Sequence, residues 1–214
     1  MKEPIKISVR GFAEVSATSA KRKTTVLKRF KFPKSEESVG RSNYYVKALS
    51  AIKRHHKGDT VYVNKLLQEL LAEMATETDN RKRAKLANNH RAISDYLKNF
   101  GNRKLIIKPG KRLYFVSGDV VVSAQPDLVA EESGQLKLFK LNLGKEDYAG
   151  GVNPVLLHTL HEAAVNRGLL LTPKDIECLE VSSGHRVIGP KSGFPPRKAL
   201  DDACAELSSI WSAA

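Results

Sequence analysis

Side chains with chemistry to offer gather in three places along the chain. Between Ser123 and Lys145 (SAQPDLVAEESGQLKLFKLNLGK), Asp127 enters one apolar run behind Pro126, and Lys140 and Asn142 stand two apart on the next. Successive side chains of a strand alternate faces, so Leu136, Leu138, Lys140 and Asn142 share one face and Phe139, Leu141 and Leu143 the other. Lys140 and Asn142 are the polar pair of that face. The second place is His158-Thr159-Leu160-His161-Glu162, where histidines at i and i+3 of a helix share a face and can bind a transition metal. Their order and spacing differ from the His-Glu-x-x-His of zinc peptidases, no third ligand is evident nearby, and Glu162 can instead pair with His158 across one turn. The third is cationic: Lys21-Arg22-Lys23, Lys28-Arg29, Lys53-Arg54 with Lys57, and Arg81-Lys82-Arg83 with Lys85. Clustered cations attract polyanions, because each phosphate they neutralise releases counterions.

The elements that must position these groups change character along the chain. Ile5 to Val15 (IKISVRGFAEV) alternates in part and reads as a strand with a bulge or turn at Gly11, and Thr24 to Phe32 (TTVLKRFKF) reads as a second β-like run ended by Pro33. Lys34 to Arg41 is polar and loop-like. Residues 1–40 are therefore expected to form a basic β-like arm. Tyr45, Leu49 and Ile52 fall at helical spacing within residues 43–56, and Gly58 closes that pattern. Asp59 or Thr60 caps a helix from Val61 to Ala75. The polar stretch 76–89 is a loop or the solvated start of a helix through Ile93, Tyr96, Leu97 and Phe100, which Gly101 ends. From there the period becomes extended. Residues 104–108 and 112–116 read as a hairpin across Pro109-Gly110, 119–123 as a further strand, and 135–143 as another across the Glu132-Ser133-Gly134 turn. Asn153 is the expected N-cap and Pro154 the first residue of a helix closed by Arg167-Gly168. Residues 175–182 and 185–188 follow as strands and 199–211 as a terminal amphipathic helix. Helices, strands, a helix and further strands in this order make an α/β or α+β sheet with helical cover, and residues 41–214 need no second domain.

Charge narrows the function classes. Of the net charge of +13, residues 1–112 hold 27 Lys and Arg against 10 Asp and Glu, and the remainder is mildly acidic. The partner implied is nucleic acid, DNA ahead of RNA, held by its backbone; a protein partner or homo-oligomer is compatible. No apolar run approaches the roughly 18 residues of a membrane span, and the N-terminus lacks the apolar core of a signal peptide. Cys178 and Cys204 form neither a disulfide framework nor a zinc ligand set, so a reduced, cytoplasmic setting is expected. Ala149-Gly150-Gly151 is too short for a nucleotide-phosphate loop, and no cofactor is called for.

The run from about 87 to 190 resembles the PD-(D/E)XK nuclease superfamily, within it the RecB-like exonuclease branch. Gln125-Pro126-Asp127-Leu128-Val129 matches the first motif, Leu138 to Gly144 (LFKLNLG) occupies the second, and the helix at 154–167 with the strands after it matches the tail. The resemblance implies a restriction-nuclease-like mixed central sheet flanked by helices. It also implies a site where an Asp and an acidic-x-Lys triplet hold one or two divalent cations that activate water against a phosphodiester. Here Lys140 stands where the acidic residue belongs and Asn142 where the lysine belongs, and His158, His161 and Glu162 occupy the region of the family's Gln and Tyr. Lysine repels a divalent cation rather than binding it. The expectation is a nuclease-like scaffold whose catalyst is lost, binding DNA or RNA in a repair, recombination or phage-defence setting. Two alternatives belong to other classes. One is an active Mg²⁺- or Mn²⁺-dependent nuclease with migrated ligands (Asp127 with Glu131, Glu132 or Glu162, and Lys140). The other is a structural subunit whose basic face meets an acidic protein.

Overall fold

The computed structural model describes residues 3–32 and 44–212. Over these residues the chain is an α+β protein with two mixed sheets. Strand β1 (Ile5–Ser8) leads directly into helix α1 (Val9–Ala17), and α2 (Ala20–Lys31) follows. Three more helices come next: α3 (Val46–His55), α4 (Thr60–Thr76) and α5 (Asn80–Phe100). Strands β2 (Ile106–Ile107), β3 (Tyr114–Ser117), β4 (Val120–Ser123), β5 (Leu128–Glu132) and β6 (Gln135–Asn142) precede α6 (Val152–Asn166). Strands β7 (Ile176–Glu180) and β8 (His185–Ile188) and helix α7 (Lys198–Trp211) complete the chain.

The larger sheet has the order β2-β5-β6-β7-β8, antiparallel except for β6 and β7, which α6 joins as a parallel crossover. Hairpin β5–β6 turns on Ser133 (φ 53°) and Gly134 (φ 78°), the paired positive φ values of a tight primed turn. The smaller sheet has the order β1-β4-β3, with β1 parallel to β4. Leu138, Ile176 and Cys178 bury one face of the larger sheet in a core shared with α1, α6, α7 and the smaller sheet. Phe139, Leu141 and Leu179 bury the opposite face under α3, α4 and α5. Alternation along β6 thus feeds two cores, one on each side of the strand.

Several expectations are corrected. Residues 5–15 are a strand only through Ser8, whose side chain caps α1 by accepting from Gly11 N. Val9, Phe12, Ala13 and Val15 then bury one helical face, the period of 3.6 prevailing over partial alternation. Thr24–Phe32 is helical instead of β-like, with Leu27 as its fully buried anchor. Gly11 permits the α1–α2 contact, since a Cβ there would lie 2.9 Å from the Phe30 ring. Residues 5–31 therefore lie against the main core rather than along a β-like arm, whose portions at 1–2 and 33–40 fall outside the described residues. Residues 104–108 and 112–116 are no hairpin: β2 pairs with β5 in the larger sheet and β3 with β4 in the smaller. Helix α6 starts at Val152 behind Gly151 (φ 86°), because the Asn153 amide is turned to Glu180 instead of capping. The polar stretch at 76–89 resolves into α5, capped by Asp79 accepting from Arg81 N and Lys82 N.

Candidate functional site

The carboxyl ends of β6 and β7, the parallel pair of the larger sheet, carry the polar groups singled out in the sequence. Asp127 precedes β5 with its N–H on the Phe139 carbonyl, which sets it beside Lys140. The Lys140 ammonium donates to Asp127 Oδ1 at 3.0 Å and to the Gln125 carbonyl at 3.2 Å, while Asp127 Oδ2 accepts from Leu141 N at 2.8 Å. The carboxylate is thus fully engaged by an internal cation and a backbone amide. Both side chains remain partly open, 16% for Lys140 and 18% for Asp127.

Asn142, two residues on, faces the same way and is buried, and its partner is Glu180, directly across on β7. Asn142 Nδ2 donates to Glu180 Oε2 at 2.6 Å, Asn153 Nδ2 to Oε1 at 2.7 Å and Tyr148 N to Oε1 at 3.3 Å. Glu180 is therefore a buried carboxylate held by neutral amides. Cys178 lies between the two carboxylates, opposite Lys140 on β7. Burial first, then the Glu180 and Asp127 charges, push its thiol far above the ordinary range, so it stays protonated and inert. Sequence reasoning missed Glu180. Its alternation with Ile176 and Cys178 points it toward this face, but the parallel register that places it against Asn142 spans the whole α6 crossover.

The opposite end of the sheet holds a different cluster. Glu177, with a fully buried side chain, accepts from Arg103 Nη1 at 2.9 Å, Lys137 Nζ at 2.9 Å and Arg186 Nη2 at 3.2 Å. Glu132 accepts from Arg103 at 2.6 and 2.8 Å and from Lys137 at 2.8 Å. The Arg103 hydrogen bond leads in holding Glu132 down to about 2. The guanidinium also lies 4.9 Å from the centre of the Phe139 ring. With every oxygen occupied, Glu132 serves as an internal counter-ion that clamps β5, β6 and β7, and Glu131, at the end of β5, is paired with Lys108 at 2.9 Å. Neither residue is placed as a ligand beside Asp127.

His158 and His161 sit on α6 against Phe194, the His158 ring stacked at 5.0 Å and the His161 ring tilted at 5.2 Å. Glu162 Oε1 is 4.0 Å from His158 Nε2 and 3.7 Å from His161 Nδ1, and His161 Nε2 meets the Leu171 carbonyl at 3.2 Å. Burial holds His158 below its ordinary range and neutral. Among the described residues no group of three or more His, Cys, Asp or Glu is arranged to hold a metal ion. A further polar trio is Asp147, Ser183 and His185, with Ser183 Oγ donating to Asp147 at 2.7 Å and His185 Nδ1 at 2.9 Å from the same carboxylate. The imidazole meets the aspartate rather than the serine hydroxyl, so the trio lacks the base–nucleophile contact of a hydrolase.

The cationic clusters divide into engaged and open groups. Lys23 pairs with Glu206 at 2.5 Å and Arg54 with Asp59 at 2.8 Å. Arg83 donates to the Glu77 carbonyl at 2.8 Å, and Arg81 is engaged as well. Lys21, Arg22, Lys28, Arg29, Lys53, Lys57, Lys82 and Lys85 are exposed and carry no carboxylate partner among the described residues. They project from α2, from the carboxyl end of α3 and the turn after it, and from the first turns of α5. Tyr44 is tied to Asn88 through its hydroxyl at 2.8 Å, and Tyr45 packs on the core beneath α3. Among the described residues no helix is long and apolar enough to cross a membrane. No protein-family profile matches the chain, and neither does any curated protein.

Proposed function

We propose that this chain binds nucleic acid through its backbone, on a scaffold like that of the PD-(D/E)XK nucleases whose metal position is filled by the Lys140 ammonium. The observation that carries the proposal is the excess of exposed cations without carboxylate partners on α2, α3 and α5, in a half of the sequence holding 27 basic against 10 acidic residues. Surface cations are usually balanced by neighbouring carboxylates, and an excess left open on several elements favours a polyanion. The order of elements around the larger sheet agrees with the resemblance. A helix precedes the sheet, Asp127 enters a hairpin, and a crossover helix returns the chain to a parallel strand.

The lost catalyst rests on Lys140. An ammonium 3.0 Å from Asp127 supplies the positive charge that a divalent ion would otherwise bring, without an open coordination position for water. Asn142 then has nothing catalytic to assist and ties Glu180 instead. Repair, recombination or phage defence is the setting that the resemblance implies, and that inference is by analogy. Fluorescence anisotropy of the full chain with labelled duplex, single-stranded DNA and RNA tests the proposal across salt, with and without Mg²⁺ or Mn²⁺. Log K is expected to fall linearly with log salt, by about 0.9 per phosphate neutralised on a duplex, and to be indifferent to the metal. A flat response to salt overturns the proposal. Metal-dependent cleavage would return the site to the nuclease class.

A further inference from the structure

Helix α2 sorts its side chains by face. Leu27 is buried, and the inward cations are taken up by α7: Lys23 pairs with Glu206, and Lys31 Nζ donates to the Trp211 carbonyl at 2.6 Å. Lys21, Arg22, Lys28 and Arg29 face solvent as two adjacent pairs seven residues apart, about 10 Å along the helix at its ordinary rise. Seven residues are close to two full turns, so both pairs lie on one face.

Just past the last turn stands Phe32, 60% exposed, more than any other phenylalanine, tyrosine or tryptophan among the described residues. It is not isolated. Lys31 Nζ lies 5.2 Å from the centre of the Phe32 ring and 5.6 Å from that of Trp211. One ammonium therefore bridges two aromatic rings, one open and one half-buried, and its bond to the Trp211 carbonyl fixes the end of α7 beside them. A row of open cations ending on a cation-braced aromatic platform fits an extended polyanion that also carries flat apolar groups.

We propose that α2 and the end of α7 form a track for single-stranded nucleic acid, with phosphates on the Lys21/Arg22 and Lys28/Arg29 pairs and a base stacked on Phe32. This rests on the nucleic-acid-binding reading and adds the substrate class. A duplex keeps its base faces inside the stack, whereas an unpaired strand offers them to an exposed ring regardless of sequence.

Trp211 is the chain's single tryptophan, so the platform carries its own reporter. The test titrates the full chain with an oligothymidine of about 20 nucleotides and with a duplex of equal length, following tryptophan fluorescence and anisotropy. The oligothymidine is expected to bind more tightly than the duplex and to change the Trp211 emission. Phe32→Ala should weaken it by about fivefold to a hundredfold without altering the salt slope, and Phe32→Tyr should restore it. Lys28→Ala with Arg29→Ala should instead lower the slope by about 1.4. Because Phe32 is exposed, its variants should melt like the parent chain, which separates lost stacking from lost fold. Equal affinity for duplex and single strand, or unchanged binding by Phe32→Ala, overturns the track while leaving nucleic-acid binding intact. Failure of both oligonucleotides to bind overturns the broader proposal.

Discussion

Substituting Lys140 by glutamate should turn the internal ion pair into a metal-dependent one. In the parent chain the ammonium lies 3.0 Å from Asp127 Oδ1, with both side chains mostly shielded. Losing that charged hydrogen bond costs about 1.5–3 kcal/mol. Two carboxylates then face one another, and at about 5 Å with an effective dielectric of about 20 their repulsion adds about 3 kcal/mol. At about 2–4 °C per kcal/mol for a chain of this size, metal-free Lys140→Glu should melt about 10–20 °C lower. A glutamate is one bond shorter than a lysine, which leaves room between the carboxylates for an ion with metal–oxygen distances of about 2.0–2.2 Å. Mn²⁺ at about a hundred times its dissociation constant would return about 2.7 kcal/mol, or about 5–10 °C. Thermal melts of the parent, Lys140→Glu and Lys140→Met, each with and without Mn²⁺, measure this. Lys140→Met should fall by the pair's contribution alone and gain nothing from the metal. If Lys140→Glu shows no recovery, or Lys140→Met recovers equally, the claim that the ammonium stands in for a cation fails.

Other consequences are open to direct measurement. Glu177→Gln leaves Arg103, Lys137 and Arg186 facing a neutral amide, and urea unfolding should show a loss of about 3–5 kcal/mol. Acid should destabilise the fold in two stages. Burial, then the His55 and Arg103 charges, hold His56 near 4 against 6.5 when unfolded, so the unfolded chain takes up its proton first and stability falls as pH drops through that interval. Glu132, near 2 against 4.5, contributes stability that is present above its unfolded value and is lost as pH falls toward 2. Urea midpoints recorded from pH 8 to pH 3 should show both stages, and His56→Phe should remove the upper one. Gly11→Ala should lose about 1–3 kcal/mol by forcing the Phe30 ring away from α1, whereas Gly118→Ala at an open turn should cost only its backbone strain, a difference calorimetry can resolve.

The parts of the fold carried by local chemistry were legible in the sequence. Asp59 caps α4, and Ser133-Gly134 turns the β5–β6 hairpin. The face shared by Lys140 and Asn142 follows from strand alternation alone. Elements whose partners lie far away were not legible. The segment Val9 to Val15 reads as a strand until its burial against α6 is known, and TTVLKRFKF carries β-branched residues into a helix anchored by Leu27 with Val26 and Phe30. Long-range register decided what sequence spacing could not, giving Lys140 to Asp127, Asn142 to Glu180, and Arg103 to two carboxylates 29 and 74 residues away.

Pairing of β1 with β4 joins Ile5 to Val120, and α1 packs against α6 more than 130 residues downstream. A chain emerging at about 5–20 residues per second therefore makes its first strand on the order of ten seconds or more before that strand has anything to pair with. During this interval Ile5 and Ile7 lack their partner strand, and α1 has only α2 to pack against. The delay predicts slow, chain-length-limited maturation, and depleting holdase chaperones during synthesis should lower the folded yield.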